Sequence, residues 1–105
     1  MSQGTYTALT IASGGTTSTT YETLGANRGS FQLPTMTGVA TTVNVSNNGT
    51  NWTACPVEGN ETNPITTASN GSYSLPIKAF SFRYIQLVSG SAEGAARTIN
   101  IYTRD

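Results

Sequence analysis

Histidine is absent from this 105-residue chain, cysteine occurs once, at Cys55, and aspartate once, at the final position, Asp105. Charged residues make up only 10% of the sequence and balance to a formal net charge of zero. Each shortage excludes a class of chemistry. Without histidine, a serine or threonine nucleophile lacks its usual activating base, and a zinc site lacks ligands. A lone cysteine forms no internal disulfide, which points to synthesis in a reducing cytoplasm. Cys55 lies between Ala54 and Pro56 and reads as a small core or strand residue. No apolar run approaches the roughly 20 residues that a membrane-spanning helix needs. Residues 1–5 carry neither the positive nor the apolar stretch of a secretory signal. The five cations, Arg28, Lys78, Arg83, Arg97 and Arg104, are scattered, so nucleic acid and anionic lipid meet no basic stripe. The expectation is a chain with no catalytic residue, no cofactor, no metal, no nucleic acid and no membrane partner.

What is present is polar and small. Thr, Ser, Asn and Gly supply about half of the chain, far above ordinary globular usage. The hydrophobic 36% is spread in short clusters, enough for a thin core between two sheets, and a domain this polar favours self-association. Helical periodicity is missing, because Gly, Pro or Asn interrupts most windows of a dozen residues.

Strand alternation recurs instead. Residues 5–11 place Thr5, Thr7, Leu9 and Ile11 on one face and Tyr6 on the other. Phe31 and Leu33 share a side. Val39, Thr41, Val43 and Val45 align, and residues 51–57 set Trp52, Ala54 and Pro56 against Thr53, Cys55 and Val57. Between those runs, Asn48-Gly49 predicts a hairpin turn, since both residue types tolerate positive φ. Residues 64–68 and 72–77 read as short strands joined through Asn70-Gly71. Residues 82–89 form the densest apolar segment and are expected at the centre of a sheet, and residues 98–103 close the domain. About eight short strands at spacings near ten residues predict an all-β fold, a single antiparallel β-sandwich of jelly-roll type over residues 1–105. The Thr-rich stretch near residues 13–20 is expected to be a flexible loop, and residues 92–96 a second loop.

Few groups compete as sites. Glu58 and Glu61, three apart on one loop, are the sole close carboxylate pair, and a solvated loop tip explains them better than acid–base catalysis. Lys78 has no accompanying serine motif and reads as a snorkelling side chain. Trp52 beside Asn48 and Asn51 is either a sugar-stacking platform or a core tryptophan, and its alignment with Ala54 and Pro56 favours the core. Tyr6, Tyr21, Arg28, Arg83 and Tyr102 are the candidate interface residues, Tyr and Arg being enriched at protein contacts. Arg83 is expected to pair across strands or across subunits, with Glu93 or Glu22.

The hairpin of residues 45–52, Val-Ser-Asn-Asn-Gly-Thr-Asn-Trp, followed by residues 82–88, Phe-Arg-Tyr-Ile-Gln-Leu-Val, resembles the pattern of galactose-binding-like, discoidin-type jelly rolls. The layout from residues 31–34 through 89–92 to 97–99 is more similar to small β-sandwich structural proteins of tailed bacteriophages, capsid decoration (cement) proteins among them. That resemblance implies a non-enzymatic virion protein, made in the host cytoplasm and placed on the capsid surface. Its partners would be the major capsid protein and further copies of itself, a trimer being the expected assembly. Residues 1–6 and the loop near 13–20 would lie across the subunit junctions. The alternative is a carbohydrate-binding module on a phage tail or neck appendage, with Asn48, Asn51 and Trp52 as its platform.

Overall fold

The computed structural model describes residues 5–66 and 69–104, and the docking arm expected at residues 1–6 lies largely outside them, at residues 1–4. Among the described residues are nine strands and one 3-10 turn: β1 (Thr5–Ile11), β2 (Tyr21–Glu22), β3 (Arg28–Gln32), β4 (Ala40–Ser46), β5 (Thr53–Ala54), β6 (Ile65–Thr66), β7 (Ser72–Ser74), the turn Ile77–Ser81, β8 (Tyr84–Ser89) and β9 (Arg97–Arg104). They form two antiparallel sheets, ordered β1-β9-β3-β7 and β2-β8-β4-β5, with β6 also pairing with β4. Apart from the β4-β5-β6 run, every connection passes from one sheet to the other. Set β6 aside, and eight strands remain in the order of a jelly roll. Apart from β4 and β5, which pair, consecutive strands of the eight lie in opposite sheets rather than pairing.

The core follows from strand parity. Leu9, Ile11, Phe31, Ile99 and Ile101 from the first sheet meet Val43, Val45, Ile85 and Leu87 from the second, all at most 1% exposed. Tyr21 joins them, and Tyr73, Phe80 and Phe82 seal the margin. β8, the dense apolar segment, sits inside its sheet as expected, and β9, expected only to close the domain, is central too, with a partner strand on each side. Burying these aliphatic side chains contributes roughly 1.5–3 kcal/mol each, the main favourable term in the fold.

The polar segments make the departures from the sequence expectation. Asn48-Gly49 does turn the chain, but in a six-residue loop: only Gly49 uses positive φ (75°). The Ser46 hydroxyl accepts from the Asn48 and Gly49 N–H groups, and the Asn48 carbonyl oxygen accepts from Thr50 and Asn51 N–H. β5 stops after Ala54, because Pro56 has no N–H for a ladder. Asn70-Gly71 links β6 to β7 across the two sheets and forms no hairpin. Residues 72–77 are not one strand either. β7 ends at Ser74, and Pro76, with φ of −56°, leads into the 3-10 turn. Val39 lies outside β4 and is 77% exposed.

The stretch near residues 13–20, expected to be a flexible loop, makes backbone contacts with both sheets. Ser18 bridges to Ile11 and Thr17 to Val88, so the segment stitches the two sheets along one side. Its backbone is held at Gly14 N–H to Glu93 O, Ser18 N–H to Leu87 O and Thr19 N–H to Thr10 O.

One core position is imperfect. Thr41 is fully buried on β4, and its hydroxyl is the one buried side-chain polar atom without a hydrogen-bond partner among the described residues. Burying an unpaired hydroxyl costs on the order of 1–3 kcal/mol. Thr41→Val keeps the shape and removes the oxygen. The variant is expected to unfold at a higher urea midpoint, by about 1 kcal/mol in stability. A midpoint lowered relative to wild type would contradict the reading.

Candidate functional site

The outer face of the four-stranded sheet carries Tyr6 and Tyr102, the amides of Gln32 and Asn100, and the cations Arg28 and Arg104. Alternation turns Leu9, Ile11, Ile99, Ile101 and Phe31 inward, which leaves Tyr6, Ala8 and Thr10 of β1, Thr98, Asn100, Tyr102 and Arg104 of β9, and Arg28, Ser30 and Gln32 of β3 on the opposite side. The register lines them up in rows. Tyr6, Tyr102, Ser30 and Ser74 lie side by side, as do Ala8, Asn100, Gln32 and Ser72. Tyr6 is 75% exposed, and its ring packs on Tyr102 at 4.7 Å between centroids, tilted by 48°. Cross-strand aromatic pairs hold both rings in place at little entropic cost. Beside them is a hollow of about 110 Å³ among Ser30, Gln32, Ser72 and Asn100, and a shallow groove of about 360 Å³ lined by Arg28, Ser30, Ser74, Tyr102 and Arg104.

Three of the five candidate interface residues, Tyr6, Arg28 and Tyr102, thus share one face. The other two do not. Tyr21 is 8% exposed, and its hydroxyl is 2.6 Å from the Thr103 hydroxyl, which makes it a core residue. Arg83 immediately precedes β8 of the other sheet, 3.5 Å from Glu22 and with its guanidinium 5.2 Å from the centroid of the neighbouring Tyr84 ring. Of the two acids expected to pair with it, Glu22 is the partner within the chain.

Glu93 does something else. It sits in the loop of residues 90–96 at 1% exposure, and its carboxylate accepts from Thr37 N–H, Gly38 N–H, the Ser89 hydroxyl and Arg97 Nε, at 2.6–3.0 Å. Gly38 permits this approach, because a Cβ there would collide with the Ser89 hydroxyl. Burial alone would raise the Glu93 pKa. The hydrogen bonds from Ser89, Thr37, Gly38 and Arg97 outweigh it and lower the pKa to about 2. A carboxylate that stays ionised and fully occupied is a structural clamp between the β3–β4 and β8–β9 loops. Sequence reading missed it: a lone glutamate in a Gly/Ala loop carries no signal of its burial.

The remaining candidates are structural. Glu61 accepts from Glu58 N–H at 3.0 Å and from Ile77 N–H at 2.9 Å, and Glu58 meets Lys78 at 3.8 Å, so the carboxylate pair organises its own loop. Burial pushes the Cys55 thiol up to about 11, with Glu61 adding to the rise and Lys78 opposing it, and keeps it protonated. Trp52 lies just before β5, which spans only Thr53–Ala54, so its expected alignment with Ala54 and Pro56 is not that of one strand. Cys55 takes the inner side at 3% exposure, and Trp52 is half-buried outside the core cluster. The Asn48 carbonyl oxygen is used up in the turn, while Asn51 is exposed. Among the described residues no group of three or more acids or cysteines converges to hold a metal.

No protein-family model matches the chain, and no curated protein matches it. A solved structure does. The crystal structure of the SPBc2 prophage-derived protein YomS superposes with a TM-score of 0.70 over 98% of this chain and 96% of that one, at 8% identity. The fold is shared. At this identity the likeness extends to the arrangement of strands and not to side chains.

Proposed function

We propose that this chain is a phage virion structural protein, a capsid decoration protein that binds the outside of the shell through the outer face of its four-stranded sheet. The gathering of Tyr6, Tyr102 and Arg28 on one flat polar face carries this reading. Tyrosine and arginine with Ser, Asn and Gln around them is the composition of a protein-contact surface. The prophage origin of the fold neighbour supports a phage setting. The mechanism is linkage: a protein that binds only the assembled shell stabilises it, and many weak contacts add up over symmetric copies. Self-association into trimers, with the major capsid protein beneath, fits such positions.

The test uses particles lacking the gene, heated with and without the added purified protein. Added wild type is expected to co-sediment with the particles and to raise the temperature at which packaged DNA is lost. Tyr6→Glu, which puts a charge on the face without touching the core, is expected to do neither. Equal DNA loss with and without wild type would count against the reading.

The place of Trp52, partly exposed and outside the core cluster, favours a second reading, a glycan platform beside Asn51 on a tail or neck appendage. Glycan binding abolished by Trp52→Ala in a folded protein would select it over the first.

A further inference from the structure

Arg28 and Arg104 are cross-strand partners on β3 and β9, and both are exposed. Like charges placed directly opposite each other destabilise a sheet. The other three cations each have an acid: Lys78 with Glu58, Arg83 with Glu22 and Arg97 with Glu93. Glu61 is taken up by backbone N–H groups. Among the described residues, Arg28 and Arg104 alone of the cations have no acid within ion-pair distance. A chain of zero net charge has concentrated its unpaired positive charge at one end of one face, around a groove of about 360 Å³.

We propose that Arg28 and Arg104 together receive a carboxylate side chain from the surface of a partner protein, with the hydroxyls of Ser30, Ser74 and Tyr102 lining the groove between them. Two guanidinium forks suit a carboxylate, and charge-assisted hydrogen bonds to it remove the repulsion that the empty pair carries. A long polyanion is a poorer fit. Beyond the arginines the face continues with Ala8, Asn100, Gln32, Ser72 and Thr98, with no further cation to follow a phosphate or uronate chain. The protein nature of the partner rests on the docking reading above, and the carboxylate chemistry does not.

The experiment is a titration of the full-length, isotope-labelled chain by NMR with an end-capped hexaglutamate peptide, and with hexaglutamine as control. Hexaglutamate is expected to shift the amides of residues 28–30, 74 and 102–104, with affinity falling as salt is raised. The double variant Arg28→Gln/Arg104→Gln is expected to bind at least about tenfold more weakly and to melt roughly 1–5 °C higher, as the repulsion is gone. Equal shifts from hexaglutamine, or undiminished binding by the double variant, would overturn the proposal. So would binding that emerges only in Asp105→Asn, which would assign the arginines to the chain's own aspartate. Tighter binding of inorganic phosphate or polygalacturonate at the same residues would overturn it in favour of those ligands. Failure here, with particle binding still lost in Tyr6→Glu, would leave the docking face standing and remove only its anionic partner.

Discussion

Glu93→Gln is expected to lose about 3 kcal/mol of stability at neutral pH and to melt roughly 10–20 °C lower. The amide can accept from only one of the two N–H groups that Glu93 holds, Thr37 or Gly38, and presents its own donor to the other. It also gives up the charge facing Arg97. The pH dependence carries the same information. The folded pKa of about 2 lies below the ordinary 4.5, so the clamp contributes fully above about pH 4.5 and is lost as pH falls from there toward 2. A shift of that size corresponds to about 3 kcal/mol. Urea unfolding at pH 7 and pH 2.5 measures it: the gap between wild type and Glu93→Gln is expected to shrink markedly at the lower pH. A gap that stays constant would mean the carboxylate's charge is not what holds the two loops.

Asn63→Ala comes next in size, at about 2–3 kcal/mol. β5 and β6 lie along the same edge of β4, and the chain between them leaves the ladder. The Asn63 side chain fills the gap. Its carbonyl oxygen accepts from Val43 N–H at 2.9 Å, and its amide donates to Val43 O at 2.9 Å and Cys55 O at 3.0 Å. Alanine leaves the N–H of Val43, a fully buried residue, without its side-chain acceptor. Asn63→Asp is expected to be at least as damaging, since it keeps the acceptor but turns a negative charge toward two carbonyl oxygens. Hydrogen exchange at the Val43 amide provides the local readout and is expected to accelerate in both variants. An unchanged unfolding midpoint in Asn63→Ala would show that water replaces the side chain at no cost.

Neither residue stood out in the sequence, and the reason is the topology. A jelly roll sends successive strands to opposite sheets, so local pattern identifies strands but not their neighbours. The β4–β5 hairpin was legible because both strands and the turn are contiguous, β8 because it is dense in Ile, Leu and Val, and β9 because Ile99 and Ile101 alternate with polar residues, though its central place was not. Glu93 depends on loop residues Thr37 and Gly38, brought up by a different connection. Asn63 depends on where β5 happens to end. The same logic governs the docking face. Tyr6, Arg28 and Tyr102 were chosen for residue type, and only the β1-β9-β3 order brings them together and adds Arg104. Trp52 was expected in the core because residues 51–57 read as one alternating strand, whereas β5 spans only Thr53–Ala54 and Cys55 is the residue that joins the core.

The most direct test of the docking face is electron cryomicroscopy of particles carrying the protein. The account predicts density for the jelly roll on the outside of the shell, with the sheet bearing Tyr6 and Tyr102 turned toward the capsid subunits. Particles without such density, or with that sheet turned toward solvent, would contradict it.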